Sequence, residues 1–291
     1  MDWLGQVEYL KSQSSIITQR AVEITDKFKV AGYRSCVLKG QGAALLYPQP
    51  ELRQCGDIDL WVDGKRDDVL KCAKTFGDIT SVDVKHADFH CFEDASVEIH
   101  SNPTWFYNPI HNQRFQEWLS SVRDQQFIVN ERGFATPTIK FNLVYSLIHI
   151  YRHLFDEGIG LRQMMDYYYI MQHSIETERS EAYRALCNLG MKRFVSAAMY
   201  VMVGVYSMNQ QYLLCEPSEK YGTKLLNSIL EGGNFGHYNN KNAHGKENRI
   251  QRGIRNIRHN LSVLSDYPSE VLWSPIWKCW HWCWRKWNGY L

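Results

Sequence analysis

The segment Gly56-Asp57-Ile58-Asp59-Leu60-Trp61-Val62 alternates polar and apolar residues with a period of two. Successive side chains of a β-strand point to opposite faces, so this segment is expected to be a half-buried strand with Asp57 and Asp59 on one face. Two carboxylates side by side repel unless a cation lies between them. A hard, oxygen-liganded ion such as Mg²⁺ or Mn²⁺ suits that arrangement.

Around this strand the periodicity divides the chain. Residues 3–31 carry apolar positions at helical spacing, among them Leu4, Val7, Leu10, Ile17, Ala21, Ile24 and Phe28, closed by Gly32. A β-like run, Ser35-Cys36-Val37-Leu38, leads into Lys39-Gly40-Gln41-Gly42 and a small helix over 43–47 that Pro48 and Pro50 stop. A helix over 66–76 follows, then strands at 79–84, 89–93 and 97–100 with turn chemistry at Glu93-Asp94-Ala95-Ser96. From about residue 138 the pattern is helical, over 139–155, 161–173, 180–206, 219–230 and 246–264, with breaks at Gly158, Gly190 and Gly232-Gly233. The expected class is α+β: an N-terminal helix over 1–32 packing on an α+β domain at 33–135, and a helical domain at 136–291.

A glycine turn after the first strand exposes backbone N–H groups at the start of a short helix, a seat for phosphate. Gly40-Gln41-Gly42 also opens like a dinucleotide-binding turn with Asp59 downstream. Against that reading, the third glycine position holds Leu45 and the helix is cut at Pro48, whereas a βαβ crossover needs a dozen or more residues. In-line phosphoryl chemistry with two metal ions asks for a third carboxylate. Glu98 in Val97-Glu98-Ile99-His100 is the best placed, with Asp83 as competitor. Lys39 and Arg53 are candidates for a triphosphate, Arg53 through bidentate contact, and both also suit pairing with the acidic cluster.

These residues carry a resemblance. A glycine turn, an Asp-x-Asp strand and a third acid on a later strand resemble the DNA polymerase β-like nucleotidyltransferase superfamily. More narrowly, LKGQGAALLYPQPELRQCGDIDLWV is similar to an uncharacterised bacterial nucleotidyltransferase family with the signature LKG…YP.P..R..GDIDLLV. VEIH at 97–100, and HIYRH followed by LRQMMD within 149–166, match its later marks. The resemblance implies a mixed β-sheet core with flanking helices, followed by a helical C-terminal domain. It implies Mg²⁺ or Mn²⁺ held by Asp57, Asp59 and Glu98, which are also the catalytic candidates, and a nucleoside triphosphate met by Lys39, Gly40, Gln41, Arg53 and Gly56. The implied reaction moves a nucleoside monophosphate to a hydroxyl or phosphate of a small-molecule, glycan or protein acceptor. Where the superfamily has Gly-Ser or Gly-Gly at the turn, this chain has Gly40-Gln41, so phosphate contact falls to the backbone, Gln41 or Lys39. The alternatives are a tRNA-directed transferase or toxin, and a nucleotide- or partner-binding module without turnover.

Composition bounds these readings. Across 291 residues, 33 Lys and Arg balance 31 Asp and Glu, a charge that disfavours a dedicated nucleic-acid binder. The start, MDWLGQVEYLKSQ, lacks a basic-then-apolar signal, and eight scattered cysteines without a CxxC pair suit a reducing, cytoplasmic setting. The longest apolar run, Phe194 to Tyr206, falls short of the roughly twenty residues a membrane span needs.

Three weaker signals remain. His149 and His153 lie four apart on an expected helix, but Ile150 stands where a zincin has Glu, so with Arg162 and Asp166 they read as a polar network. Arg249, Arg252, Arg255 and Arg258 recur every third residue as a basic helix face, read as solvated, with an anionic acceptor or RNA as the sharper alternative. Six of the ten tryptophans fall in the last nineteen residues. Trp273, Trp277, Trp280, Trp284 and Trp287 form one helical stripe, read as docking on the body, with an interfacial membrane contact or a partner groove as alternatives.

Overall fold

Helix α1, Trp3–Val30, opens the computed structural model, which describes residues 3–84, 86–156, 158–232 and 260–289. The helix buries Ile17, Ala21, Ile24 and Phe28, spaced three and four apart on one face. Five strands follow: β1 (Ser35–Val37), β2 (Asp57–Val62), β3 (Asp78–Val82), β4 (His86–His90) and β5 (Ser96–His100). Between them lie the short helix α2 (Gln41–Ala44) and α3 (Arg66–Ala73). The strands form one mixed sheet in the order β1-β2-β5-β4-β3, with β2 and β5 parallel and the other neighbours antiparallel.

The sheet has one apolar and one polar face. Ile58, Leu60 and Val62 of β2, Val97 and Ile99 of β5 and Phe89 of β4 pack against Ile24 and Phe28 of α1 and Val69 and Ala73 of α3. Burying each such side chain contributes about 1.5–3 kcal/mol, so the two helices are pinned to this face. Period two then turns Asp57, Asp59, Glu98, His100, His86 and Asp88 to the other face.

The expected strand at 89–93 lies instead at His86–His90. Ala87 and Phe89 are its inward residues, and Ala87 is too small to mark the alternation, so the hydrophobic weight of Phe89–Phe92 draws the reading along the chain. The small helix after the glycine turn starts at Gln41 rather than 43.

The chain divides into two compact units. The first takes the residues up to Thr104, Ser121–Thr138 and those from His281 onward; the second takes Trp105–Ser120 and Ile139–Trp280. The second unit contains α5 (Ile139–Asp156), α6 (Leu161–Gln172), α7 (Glu176–Asn188), α8 (Lys192–Tyr206) and α9 (Glu219–Gly232). The pattern over 180–206 resolves into α7 and α8, broken at Gly190.

Helix α4, Pro109–Val122, is absent from the sequence reading. It starts with Pro109 at its first position, and the Asn108 Oδ1 accepts from the Ile110 N–H at 2.8 Å, a capping pair the sequence does display. Helix α10, Pro268–Trp287, contains the tryptophan stripe. Its Glu270, fully buried, accepts from the Tyr107 N–H at 2.7 Å and the Asn108 N–H at 3.4 Å, just ahead of α4. The expected helix over 246–264 lies, up to residue 259, outside the described residues, and so do Arg249, Arg252, Arg255 and Arg258. Among the described residues no helix is long and apolar enough to cross a membrane.

Candidate active site

The site is assembled by the β1–β2 pairing. The Leu38 N–H donates to the Asp59 carbonyl at 2.9 Å, carrying the pairing one residue past Val37 and delivering the glycine turn beside the acids. Gly40 adopts φ +51°, and a Cβ there would lie 3.2 Å from the Asp57 carbonyl oxygen. A Cβ on Gly42 would stand 2.6 Å from the Val37 carbonyl oxygen. Both glycines let the turn press against strand backbone, a closeness that a side chain forbids. We expect Gly42→Ala to cost about 1–3 kcal/mol, because backbone cannot rotate aside as a side chain can. Urea unfolding measures this, and an unchanged midpoint would contradict the tight turn.

The turn places the Lys39 Nζ 2.8 Å from Asp59 Oδ1. Asp59 is 2% exposed and also meets the His100 Nε2 at 3.0 Å through the same oxygen. In the β2–β5 register Asp59 stands beside Glu98, and β4 brings Asp88 opposite Glu98 and His86 opposite His100. The Glu98 Oε2 lies 3.5 Å from His100 Nε2 and 3.9 Å from His86 Nε2.

The electrostatics follow from this geometry. Burial, reinforced by the neighbouring Asp59 charge, pushes the Asp57 carboxyl up to about 6. Burial acts on Asp59 in the same sense, but Lys39 and His100 outweigh it and hold that carboxyl below the usual range. Glu98 is likewise held low, its burial overcome by the hydrogen bond to His100. Lys39 and His100 are both held above their ordinary values, because their carboxylate partners override burial. Asp57, Asp59 and Glu98 thus share Lys39 and His100, with His86 near Glu98 alone, and Asp57 is the carboxylate left under-compensated.

Donor atoms of Asp59, Glu98 and His100 lie within 4.8 Å of one another, as do those of His86, Asp88 and Glu98. The carboxylate oxygens of Asp59 and Glu98 suit Mg²⁺ or Mn²⁺, while the His100 imidazole, hydrogen-bonded to Asp59, positions them rather than favouring such an ion. Asp57 stands outside both sets and adds charge to the same face.

The remaining candidates have separate positions. Gln41 is buried, and its Nε2 donates to the Ser14 carbonyl at 2.9 Å, tying the turn to α1. The Arg53 Nη1 donates to the Gln54 carbonyl at 3.1 Å and lies 3.2 Å from Cys55 Sγ, within the segment leading to β2. Gly56 is exposed at the strand entry. Asp83, the competitor to Glu98, lies past the end of β3, where its Oδ1 accepts from the His86 N–H at 2.9 Å. His100 and His86 were given no role by the sequence, although His100 stands two residues after Glu98 and therefore on its face. The His149–His153 pair lies in the other unit, with their Nε2 atoms 2.8 Å apart.

Comparison with known proteins extends the picture. An antigenic nucleotidyltransferase-like protein from Paracoccidioides brasiliensis is similar to 63% of this chain and 91% of its own, at 15% identity and a TM-score of 0.35. A CCA-adding enzyme, solved with CTP, covers 92% of this chain and 80% of its own at 13% identity and a TM-score of 0.26. No curated protein matches the chain. The family model described as uncharacterised nucleotidyltransferase matches residues 1–206, the stretch that contains the turn, the acids and the first helices of the second unit, and the chain belongs to that family.

Proposed function

We propose that the chain is a divalent-metal-dependent enzyme that moves a nucleoside monophosphate from a triphosphate to a hydroxyl or phosphate of a small-molecule, glycan or protein acceptor. The observation that carries this reading is the cluster of Asp57, Asp59 and Glu98 on one sheet face, with Asp57 under-compensated, beside a glycine turn that presents Lys39. Membership of a nucleotidyltransferase family supports nucleotidyl transfer, and the near-neutral charge favours a small or protein acceptor over nucleic acid.

In this reading Asp59 and Glu98, with Asp57 beside them, hold Mg²⁺ or Mn²⁺. Bound there, the ion neutralises charge on the α-phosphate and on the departing pyrophosphate. Lys39 orients Asp59 in the free protein and adds positive charge on the triphosphate side. His100, within 3.0 Å of Asp59 and 3.5 Å of Glu98, holds the two carboxylates together. Gly40 and Gly42 allow the turn to approach closely, Gln41 anchors it to α1, and Arg53 and Gly56 shape the entry to β2. The acceptor oxygen attacks the α-phosphorus, a hydroxyl acceptor giving up its proton to solvent, the bond to the bridging oxygen breaks, and pyrophosphate leaves.

The test uses the full chain with Mn²⁺ or Mg²⁺, each α-labelled and γ-labelled triphosphate, and cell extract. Label is expected to move to a small metabolite or protein from the α-labelled nucleotide only, and only with metal. Transfer of γ-label, or no nucleotide binding at all, would overturn the proposal; label in RNA would replace it with a nucleic-acid-directed enzyme.

Metal affinity should also depend on pH. Asp57 is half-protonated near pH 6 in the metal-free protein, and an incoming cation must displace that proton. Mn²⁺ binding by calorimetry is expected to weaken about tenfold from pH 7 to pH 5. An unchanged affinity would separate Asp57 from the metal.

A further inference from the structure

Helix α10 displays an apolar arc that is left exposed among the described residues. Leu272 is 61% exposed, Ile276 57%, Trp280 50% and Trp287 91%, with Trp273 at 39%. Cys279 and Cys283, both exposed, fall on the same arc. At 100° per residue these positions span roughly a third of the helix circumference without a charged residue among them. The stripe from 272 to 287 runs about 22 Å at 1.5 Å per residue. The opposite side is the docked one: Glu270, Val271 and Ser274 are buried.

The charges of this helix have one sign at its surface. Its single acid is the buried Glu270, while Lys278 and Lys286 are exposed. The Lys286 ammonium sits 5.4 Å from the Trp282 ring centre, beside the apolar arc, and the Lys278 ammonium lies 3.3 Å from Asp156. Tryptophans whose rings are half exposed, bordered by Lys286, match the boundary between lipid headgroups and acyl chains, while Lys278 lies on the far side of the helix against Asp156. Two copies pairing through this arc would leave Lys286 at the seam with no exposed acid of α10 to answer it.

We infer that the exposed arc of α10 (Leu272, Trp273, Ile276, Trp280, Trp287) docks the protein on an anionic lipid surface, lying in the plane of the interface. The absence of any helix apolar enough to span a membrane among the described residues fits a helix that lies on the bilayer rather than through it. This inference stands apart from the proposed chemistry and does not depend on it.

Co-sedimentation of the full chain with vesicles tests it, comparing phosphatidylcholine alone with phosphatidylcholine mixed with phosphatidylglycerol. Binding is expected on the anionic vesicles, weakening as salt is raised, with a blue shift of tryptophan emission. Ile276→Ser/Trp280→Ser/Trp287→Ser should lower the partition at least tenfold while the thermal midpoint stays put, because the three side chains are exposed. Lys286→Glu should lower it by more than about fivefold, the weight of one cation near such a surface. The inference falls if the anionic vesicles do not bind the chain, or if both variants bind like the wild type. It also falls if sedimentation velocity shows a dimer that the triple variant dissolves without any vesicle binding, since the arc would then be a contact between copies.

Discussion

Asp57→Asn is expected to raise the thermal midpoint of the metal-free protein at pH 7, Asp59→Asn to lower it, and both to remove nucleotidyl transfer. The two acids stand two residues apart on β2, yet their surroundings differ in sign. Asp57 has a folded value of about 6, above the roughly 3.9 of an unfolded chain. The folded state therefore binds more protons between those values, and stability from this group falls as pH rises through that window. At pH 7 the loss is complete, and the neutral amide relieves it by about 1–2 kcal/mol. Asp59 has a lowered folded value, so its contribution is present above the unfolded value and is lost as pH falls. Replacing it leaves Lys39 and His100 with a neutral partner in a buried position, at a cost of about 3 kcal/mol.

For transfer the direction is common to both. Each substitution removes negative charge that holds the divalent cation, and through it the triphosphate, with an expected loss of about 10³-fold or more. Calorimetric melting in chelator and the α-label assay read the two quantities separately. A lowered midpoint for Asp57→Asn would show that its carboxylate is compensated by something other than the groups named here.

Glu270→Ala is expected to be the most destabilising change in the second unit. The carboxylate is fully buried and takes the Tyr107 and Asn108 N–H groups, while its Oε1 lies 3.3 Å from the His111 Nδ1. Those N–H groups lie at the entrance to α4, where a negative charge is favoured by the helix dipole. Alanine strands two buried donors and opens a cavity, costing about 3 kcal/mol or more. For a chain of this size the midpoint should drop by roughly 6–12 °C. Glu270→Gln retains one acceptor oxygen and should lose less than half as much. Equal effects of the two variants would mean that the carboxylate charge, not its hydrogen bonding, holds the segment.

Much of the architecture was legible locally. The alternation at 57–62 placed both acids on one face before any contact was known, because the backbone of a strand allows only that period. The helices of the second half declared themselves by apolar spacing, and Gly190 marked the break between α7 and α8. The errors have physical causes as well. Strand β4 was displaced because Ala87 buries as well as a larger residue but adds little hydrophobic signal. Helix α4 was passed over although Asn108-Pro109 is a helix start, because Phe115 and Leu119 are its only buried apolar residues. The tryptophan stripe was read as a docked face, and it divides: Trp277 stacks on Trp105 and Trp284 packs against Leu70, Val82 and Ala87, while Trp280 and Trp287 stand in solvent.

What the amino-acid sequence determined alone is whatever short-range geometry dictates: the acid pair on one strand face, the glycines at the close turn, the helical second half. The tertiary structure decided which strands became neighbours. Parallel pairing of β2 with β5 put Glu98 beside Asp59 across about forty residues of chain, and brought His100 against both. It also turned Gln41 toward Ser14 and left Asp57 as the uncompensated acid. Register, sheet order and burial are settled by the free energy of the whole assembly, to which residues far apart in the chain contribute together, so no local window of sequence contains them.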